Sequence, residues 1–281
     1  MKPLPALACL VVLTALGGCA SWRAPSPRAF AAPSAYTAAA SYNAAAEANL
    51  VWSPFGRPEQ GWAVYAPAIA EAARTACPPQ SPGFARAVAR WQAHAGLAPH
   101  GGVDPATFAA MKSLWQNRRP FVRVRAAGIC PDPPDEAGLA AVPAADSYRG
   151  SQVRLRPGTL KALEAMIAAA RRAAPEIAAD PELLTVFSGY RSPAYDAARC
   201  ARDHNCDEVV RAACSSHRTG LAVDLALGFA PGFAVDSSAD ANRLYQSRTP
   251  AYRWLVANAR RFGFVNYVFE PWHWEWTGQA P

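Results

Sequence analysis

The chain has 281 residues, with 28 lysines and arginines against 21 aspartates and glutamates and a formal net charge of +7. At 51% hydrophobic residues it can bury one or two cores, and the mild basicity suits a nearby acidic polymer such as cell wall. No basic run is interleaved with aromatics, which argues against nucleic acid as a partner.

Residues 1–18 read as a processing signal. Lys2 supplies a positive charge, and the apolar run 6–16 is too short to span a membrane in the mature protein. The run closes on Leu16-Gly17-Gly18-Cys19, which resembles the lipobox of a bacterial lipoprotein. That resemblance implies cleavage before Cys19, acylation of its thiol, and a membrane held through a lipid anchor. Ala20 follows the cysteine where an aspartate would signal retention, so by the same analogy a Gram-negative host would send the protein to the outer membrane, facing the periplasm. Loss of residues 1–18 removes only Lys2 and lowers the net charge to +6. Residues 19–50, rich in Ala, Ser and Pro, are expected to form a flexible tether.

Export makes disulfides the expected state of Cys77, Cys130, Cys200, Cys206 and Cys214. Cys77 with Cys130 would staple the amino-terminal domain, and two of the other three would pair and leave one free. Positions 200, 206 and 214 lack the short paired spacing of a cysteine zinc site.

Between Tyr65 and Trp115 three short helices are expected. Pro67 sits at a plausible first helical position. Ser81-Pro82 and Asp104-Pro105 each place a capping side chain before a proline at the first helical position. Phe84, Val88, Trp91 and Ala95 recur at helical spacing until Gly96, and Phe108, Met111 and Trp115 repeat the pattern. The order Ala87-Val88-Ala89-Arg90-Trp91-Gln92, Gly96-Leu97 and Gly102-Val103-Asp104-Pro105 resembles the peptidoglycan-binding-like three-helix domain, placed here at residues 51–120. Residues 121–150, proline-rich, read as a linker.

A second domain is expected over residues 151–281. Thr159 is a candidate cap for a helix with Leu160, Leu163, Ile167 and Ala170 on one face. Strands are expected at 183–190 and 221–227, a helix opens at Thr249-Pro250 and ends at Gly263, and a last strand, 265–276, bends at Pro271. Helices mixed with short strands, without regular βαβ units, indicate an α+β fold.

The chemistry concentrates in this domain. His217, Asp224 and His273 offer two imidazoles and a carboxylate, a set that holds zinc and leaves one position open for water. Fully extended, the seven residues from His217 to Asp224 would separate them by roughly 23 Å. The chain must therefore turn between them, and Gly220 is free to take the positive φ that a turn needs. Side-chain alternation puts Val223 and Leu225 opposite Asp224 and sets His273 and Glu275 on one face. Strand geometry alone would favour Glu275 as the base beside the metal, but Pro271 lets the chain bend, so pattern alone leaves Glu270 and Glu275 both open.

Ser188-Gly189-Tyr190-Arg191-Ser192, Ser215-x-His217-x-x-Gly220-x-Ala222-x-Asp224 and Glu270-Pro271-Trp272-His273-Trp274 together resemble the zinc D-alanyl-D-alanine carboxypeptidase family of VanY type. The resemblance covers about residues 150–278 and implies a small α+β domain on an antiparallel sheet. It implies that His217, Asp224 and His273 hold zinc, that Glu270 is the catalytic base, that Arg191 binds substrate and stabilises the oxyanion, and that Ser215 hydrogen-bonds substrate. The implied activity is removal of the terminal D-alanine from peptidoglycan stem peptides. Cross-link endopeptidase, D-Ala-D-Ala dipeptidase and a non-catalytic, zinc-stabilised wall-binding lipoprotein are the alternatives. Serine hydrolysis lacks a nucleophile elbow or a Ser-x-x-Lys sequence. The stretch 200–214 and the acidic Glu275 fall outside the family pattern.

Overall fold

The computed structural model describes residues 36–206 and 209–280, so the signal segment and Cys19 lie outside the described residues. The first half is helical: α1 (Thr37–Asn49), α2 (Ala66–Ala72), α3 (Pro82–His94), α4 (Pro105–Arg118) and α5 (Pro120–Ala126), with a short hairpin of β1 (Val51–Trp52) and β2 (Glu59–Gln60). Ser81 Oγ accepts the Phe84 N–H at 3.2 Å and Asp104 Oδ1 the Thr107 N–H at 2.7 Å, so α3 and α4 start where the capping pattern puts them. Trp62, Tyr65, Ile69, Phe84, Val88, Phe108 and Met111 form the core between them.

The expected tether needs correction over its second part. Residues 37–49 form α1, which packs on α3 through Ala40 against Ala85 and Ala89. Alanine has the highest helix propensity and lets backbones approach closely, so an Ala-rich run becomes a helix once it has a surface to cover. Fully buried Asn43 locks it: its amide donates to the Gly101 carbonyl at 3.0 Å and accepts the Val103 N–H at 2.8 Å.

The second half carries β3 (Ala140–Ala141), β4 (Arg154–Leu155), α6 (Pro157–Ala173), α7 (Pro175–Ala178), β5 (Val186–Ser188), α8 (Pro193–Arg202), β6 (Ala222–Leu225), α9 (Asp240–Ser247), α10 (Pro250–Asn258), β7 (Phe264–Asn266) and β8 (His273–Trp276). Four strands form an antiparallel sheet in the order β5–β6–β8–β7, and the fold is α+β. One sheet face, with Val223, Leu225 and Trp274, packs on Leu163, Met166, Ile167 and Ala170 of α6 and Leu255 of α10. Each fully buried leucine there contributes roughly 1.5–3 kcal/mol. The opposite face carries Asp224 and His273, cross-strand neighbours on β6 and β8.

Several local expectations are corrected. Thr159 is not the cap of α6: the helix begins two residues earlier at Pro157, and the buried Thr159 hydroxyl has no hydrogen-bond partner. The last strand is a hairpin, β7 and β8 joined through 267–272, because Pro271 and the turn bond from the Glu270 N–H to the Tyr267 carbonyl reverse the chain. The linker 121–150 holds α5 and β3, and β3 pairs with β4, so the second unit begins before residue 151. Cys77 does not pair with Cys130. Cys130 bonds Cys214 and Cys200 bonds Cys206, and Cys77 is not a free thiol.

The two halves interlock. Phe55 meets the Phe269 ring at 5.2 Å, Val268 enters the first core, and Arg243 of α9 bonds Glu59 at 3.2 Å. Among the described residues no helix is long and apolar enough to cross a membrane.

Candidate active site

Two glycines set the frame. Gly220, at φ +68°, closes the turn Ser216–Thr219 and swings the chain from His217 back into β6. A side chain there would crowd Arg156 and Leu139. Gly189 follows β5, and a Cβ on it would lie 2.5 Å from Val153, so only glycine brings its carbonyl this close. That carbonyl faces His217 Nδ1 at 2.6 Å. A carbonyl can only accept, so Nδ1 carries the proton and Nε2 presents its lone pair.

His217 Nε2 lies 3.2 Å from Asp224 Oδ2 and 3.1 Å from His273 Nδ1, and His273 Nδ1 lies 2.9 Å from Asp224 Oδ1. All three side chains are buried, and one donor atom from each falls within 4.8 Å of the others. A tetrahedral zinc with bonds of about 2.0–2.1 Å keeps its ligands about 3.3 Å apart, so this donor set fits such an ion in both chemistry and spacing. The three residues share the wall of a cavity of about 230 Å³ with Glu270, Arg191, Ser215 and Trp272.

The electrostatics of the donor set are divided. Burial, helped by the Arg191 charge, pushes the His217 imidazole down. Burial works against charge on His273 and Asp224 as well. Asp224 and Glu275 outweigh it at His273 and raise that imidazole to about 9. His217 first and His273 second outweigh it at Asp224 and hold that carboxyl well below the usual carboxylate range.

The two candidate bases part company. Glu270 lines the cavity, and burial pushes its carboxyl up to about 7, only partly offset by the His273 charge. Glu275 shares the His273 face of β8, as alternation requires, but faces Arg119. Its Oε1 accepts from Arg119 Nε at 2.8 Å and Nη2 at 2.6 Å. Burial would raise the Glu275 carboxyl, yet the Arg119 charge prevails and holds it at about 2.

Arg191 and Ser215 are both tied to a residue that sequence reasoning missed. Asp196, in the first turn of α8, accepts from Arg191 Nε at 2.7 Å and from the Ser215 hydroxyl. Arg191 Nη1 also donates to Ser188 Oγ at 2.9 Å and sits 3.6 Å from Asp224 Oδ2. The one signal for Asp196 was its place just after the Ser192-Pro193 helix start. Arg119 was missed too, in a stretch read as the end of the helical domain. The 200–214 stretch supplies cavity wall through Arg211, Ala212 and Cys214, and α4 and α5 supply Gln116, Arg119, Phe121 and Arg125.

Residues 152–279 match the family model VanY, described as D-alanyl-D-alanine carboxypeptidase. No curated protein is a significant match. Among solved structures, the chain is similar to the LdcB LD-carboxypeptidase at 19% identity, over 52% of this chain and 70% of that one, with a TM-score of 0.37. It is also similar to a mutant of the vancomycin resistance D,D-pentapeptidase VanY from the VanB-type resistance cassette, in complex with Zn(II), at 23% identity over 49% and 83% of the two chains, with a TM-score of 0.28.

Proposed function

We propose that this protein, whose carboxy-terminal domain belongs to the VanY family of peptidases, is a zinc-dependent D,D-carboxypeptidase of peptidoglycan stem peptides, held in the cell envelope by a lipid on Cys19. The observation that carries the reading is the buried triad His217, Asp224 and His273 opening onto a cavity that also holds Glu270. Zinc bound by these three residues would polarise the scissile carbonyl and acidify a water molecule beside it.

The chain's own residues supply the rest. Glu270, with a carboxyl near neutrality, takes the proton of the attacking water and returns it to the leaving amine of D-alanine. Asp196 holds the Arg191 guanidinium through Nε, which leaves donors on the fork for the developing oxyanion. Ser215, anchored on the other oxygen of Asp196, offers its hydroxyl oxygen to a substrate N–H. The arginines of the cavity wall suit a substrate that ends in a carboxylate.

The test is mass spectrometry of a pentapeptide stem incubated with protein from Ala20 onward, with and without a chelator. Chelator-sensitive loss of one alanine is the expected result. Loss of two would make the enzyme a dipeptidase, and an untouched stem with cleaved cross-links would make it an endopeptidase. No cleavage of either by the zinc-loaded protein would leave a wall-binding lipoprotein.

A further inference from the structure

Of the cavity-wall residues that the helical domain supplies, Arg119 comes nearest to the proposed metal ligands through Glu275. Arg119 sits between α4 and α5 in an extended conformation, so its position is set by both helices. Its guanidinium lies over the Tyr267 ring at 4.2 Å, and its Nη1 donates to Gln116 Oε1 at 2.9 Å. The remaining fork, Nε and Nη2, closes on Glu275 Oε1. Arg119 and Glu275 are both buried, at 7% and 2% exposure, so this is an ion pair shielded from solvent and set between the two halves of the chain.

Behind the pair stands His273. Its Nδ1 faces Asp224 and His217, and its Nε2 points the other way, 3.1 Å from Ser216 Oγ and 3.4 Å from Glu275 Oε1. A metal held by the triad would take a lone pair from Nδ1, which would leave the proton on Nε2 and require an acceptor there. A histidine ligand whose far N–H meets a carboxylate is fixed in tautomer and ring orientation and is a stronger donor. Glu275 places a carboxylate on that side at 3.4 Å, behind the nearer Ser216 hydroxyl oxygen at 3.1 Å. Among the described residues Arg119 holds it, with a further 3.4 Å bond from the Phe121 N–H.

We infer that Arg119 and Glu275 are positioning residues for the metal ligand His273, and that the helical domain thereby sets the affinity of the site for zinc. The inference rests on the reading of His273 as a ligand. It gives the helical domain a role inside the catalytic unit, apart from any contact with the wall.

The experiment is zinc competition against a chromophoric chelator on protein from Ala20 onward, for the wild type, Glu275→Gln, the double variant Arg119→Met with Glu275→Met, and His273→Ala. The double variant replaces both charges by apolar side chains of similar length. It avoids the stranded buried charge that would unfold Arg119→Met alone. The expected result is a loss of about 10–100-fold in zinc affinity for the double variant, with the thermal midpoint of its metal-free protein unchanged. Glu275→Gln should lose less affinity, and its midpoint should fall because Arg119 is then buried without its carboxylate. Wild-type zinc affinity in a folded double variant would overturn the inference and leave the pair as interface glue. Wild-type affinity in His273→Ala would instead sink the ligand assignment on which it stands.

Discussion

Replacing Glu270 by Gln tests the chemistry most directly. The side chain keeps its length, and the local turn is held without the carboxylate, by the Glu270 N–H to the Tyr267 carbonyl at 2.8 Å, the His273 N–H to the Glu270 carbonyl at 3.0 Å and the Asn266 amide to the Glu270 carbonyl at 3.3 Å. Glu270 has no ion-pair partner among the described residues and lies outside the donor set. The substitution therefore removes a proton acceptor and little else. Loss of a general base lowers the rate by about 10²–10⁴-fold, which corresponds to about 2.7–5.4 kcal/mol of barrier. The assay is release of D-alanine from a pentapeptide stem, read beside zinc content by atomic absorption. The expected outcome is a rate loss in that range with zinc stoichiometry unchanged. A variant within about threefold of wild type would refute the reasoning, because a positioned general base typically contributes about 10²–10⁴-fold. Glu275 would not be an easy substitute: Arg119 engages its Oε1 twice.

Three further outcomes are expected. Asp196→Ala frees Arg191 and Ser215 together, and on the order of 10²-fold should be lost from kcat/KM with zinc content unchanged; an unaltered kcat/KM would remove Asp196 from the site. Arg243→Met leaves Glu59 buried beside an empty partner position and should destabilise the fold by about 3–5 kcal/mol in urea titration, whereas adding Glu59→Leu should recover most of it; a single variant as stable as wild type would show the network to be inert. Cys19→Ser in the full chain should abolish incorporation of radiolabelled palmitate and release the protein from membranes, and labelling that persists would end the lipobox reading.

What could be read from the sequence follows the range of the forces involved. Caps at Ser81 and Asp104 are contacts over three residues, and β6 announces itself by alternation, so these elements were legible. The triad was legible because its residue types are rare and chemically specific, and Gly220 betrays the turn between two of them. The Glu270 and Glu275 ambiguity was not resolvable from pattern. What separates the two carboxylates in the structure is Arg119, which is 156 residues from Glu275 in sequence. The pairing of Cys130 with Cys214 hid for the same reason, since proximity in a domain is a poor guide when the partner lies across a domain interface. Helix α1 shows the converse error. Low complexity says little about order when a complementary surface such as α3 is waiting for it.

These long-range links bear on how the two halves came to be joined. A wall-binding module that merely tethers a peptidase needs a solvated linker and few contacts. Here, among the described residues, the connection includes three links of different chemistry: the Cys130–Cys214 bond, the Arg119–Glu275 pair and the Arg243 cluster with Glu59, Tyr65 and Phe269. Two of the three end at the cavity, for Cys214 precedes Ser215 and Glu275 shares a face with His273. Buried ion pairs add little stability over apolar contacts, so a second use is the better reason for keeping one at an interface. Arg119 and Glu275 pair across the two halves in the placement in which α4 and α5 complete the cavity wall. A catalytic half expressed without residues 36–120 would therefore lose the part of that wall from α4 and leave Glu275 without Arg119 beside the triad.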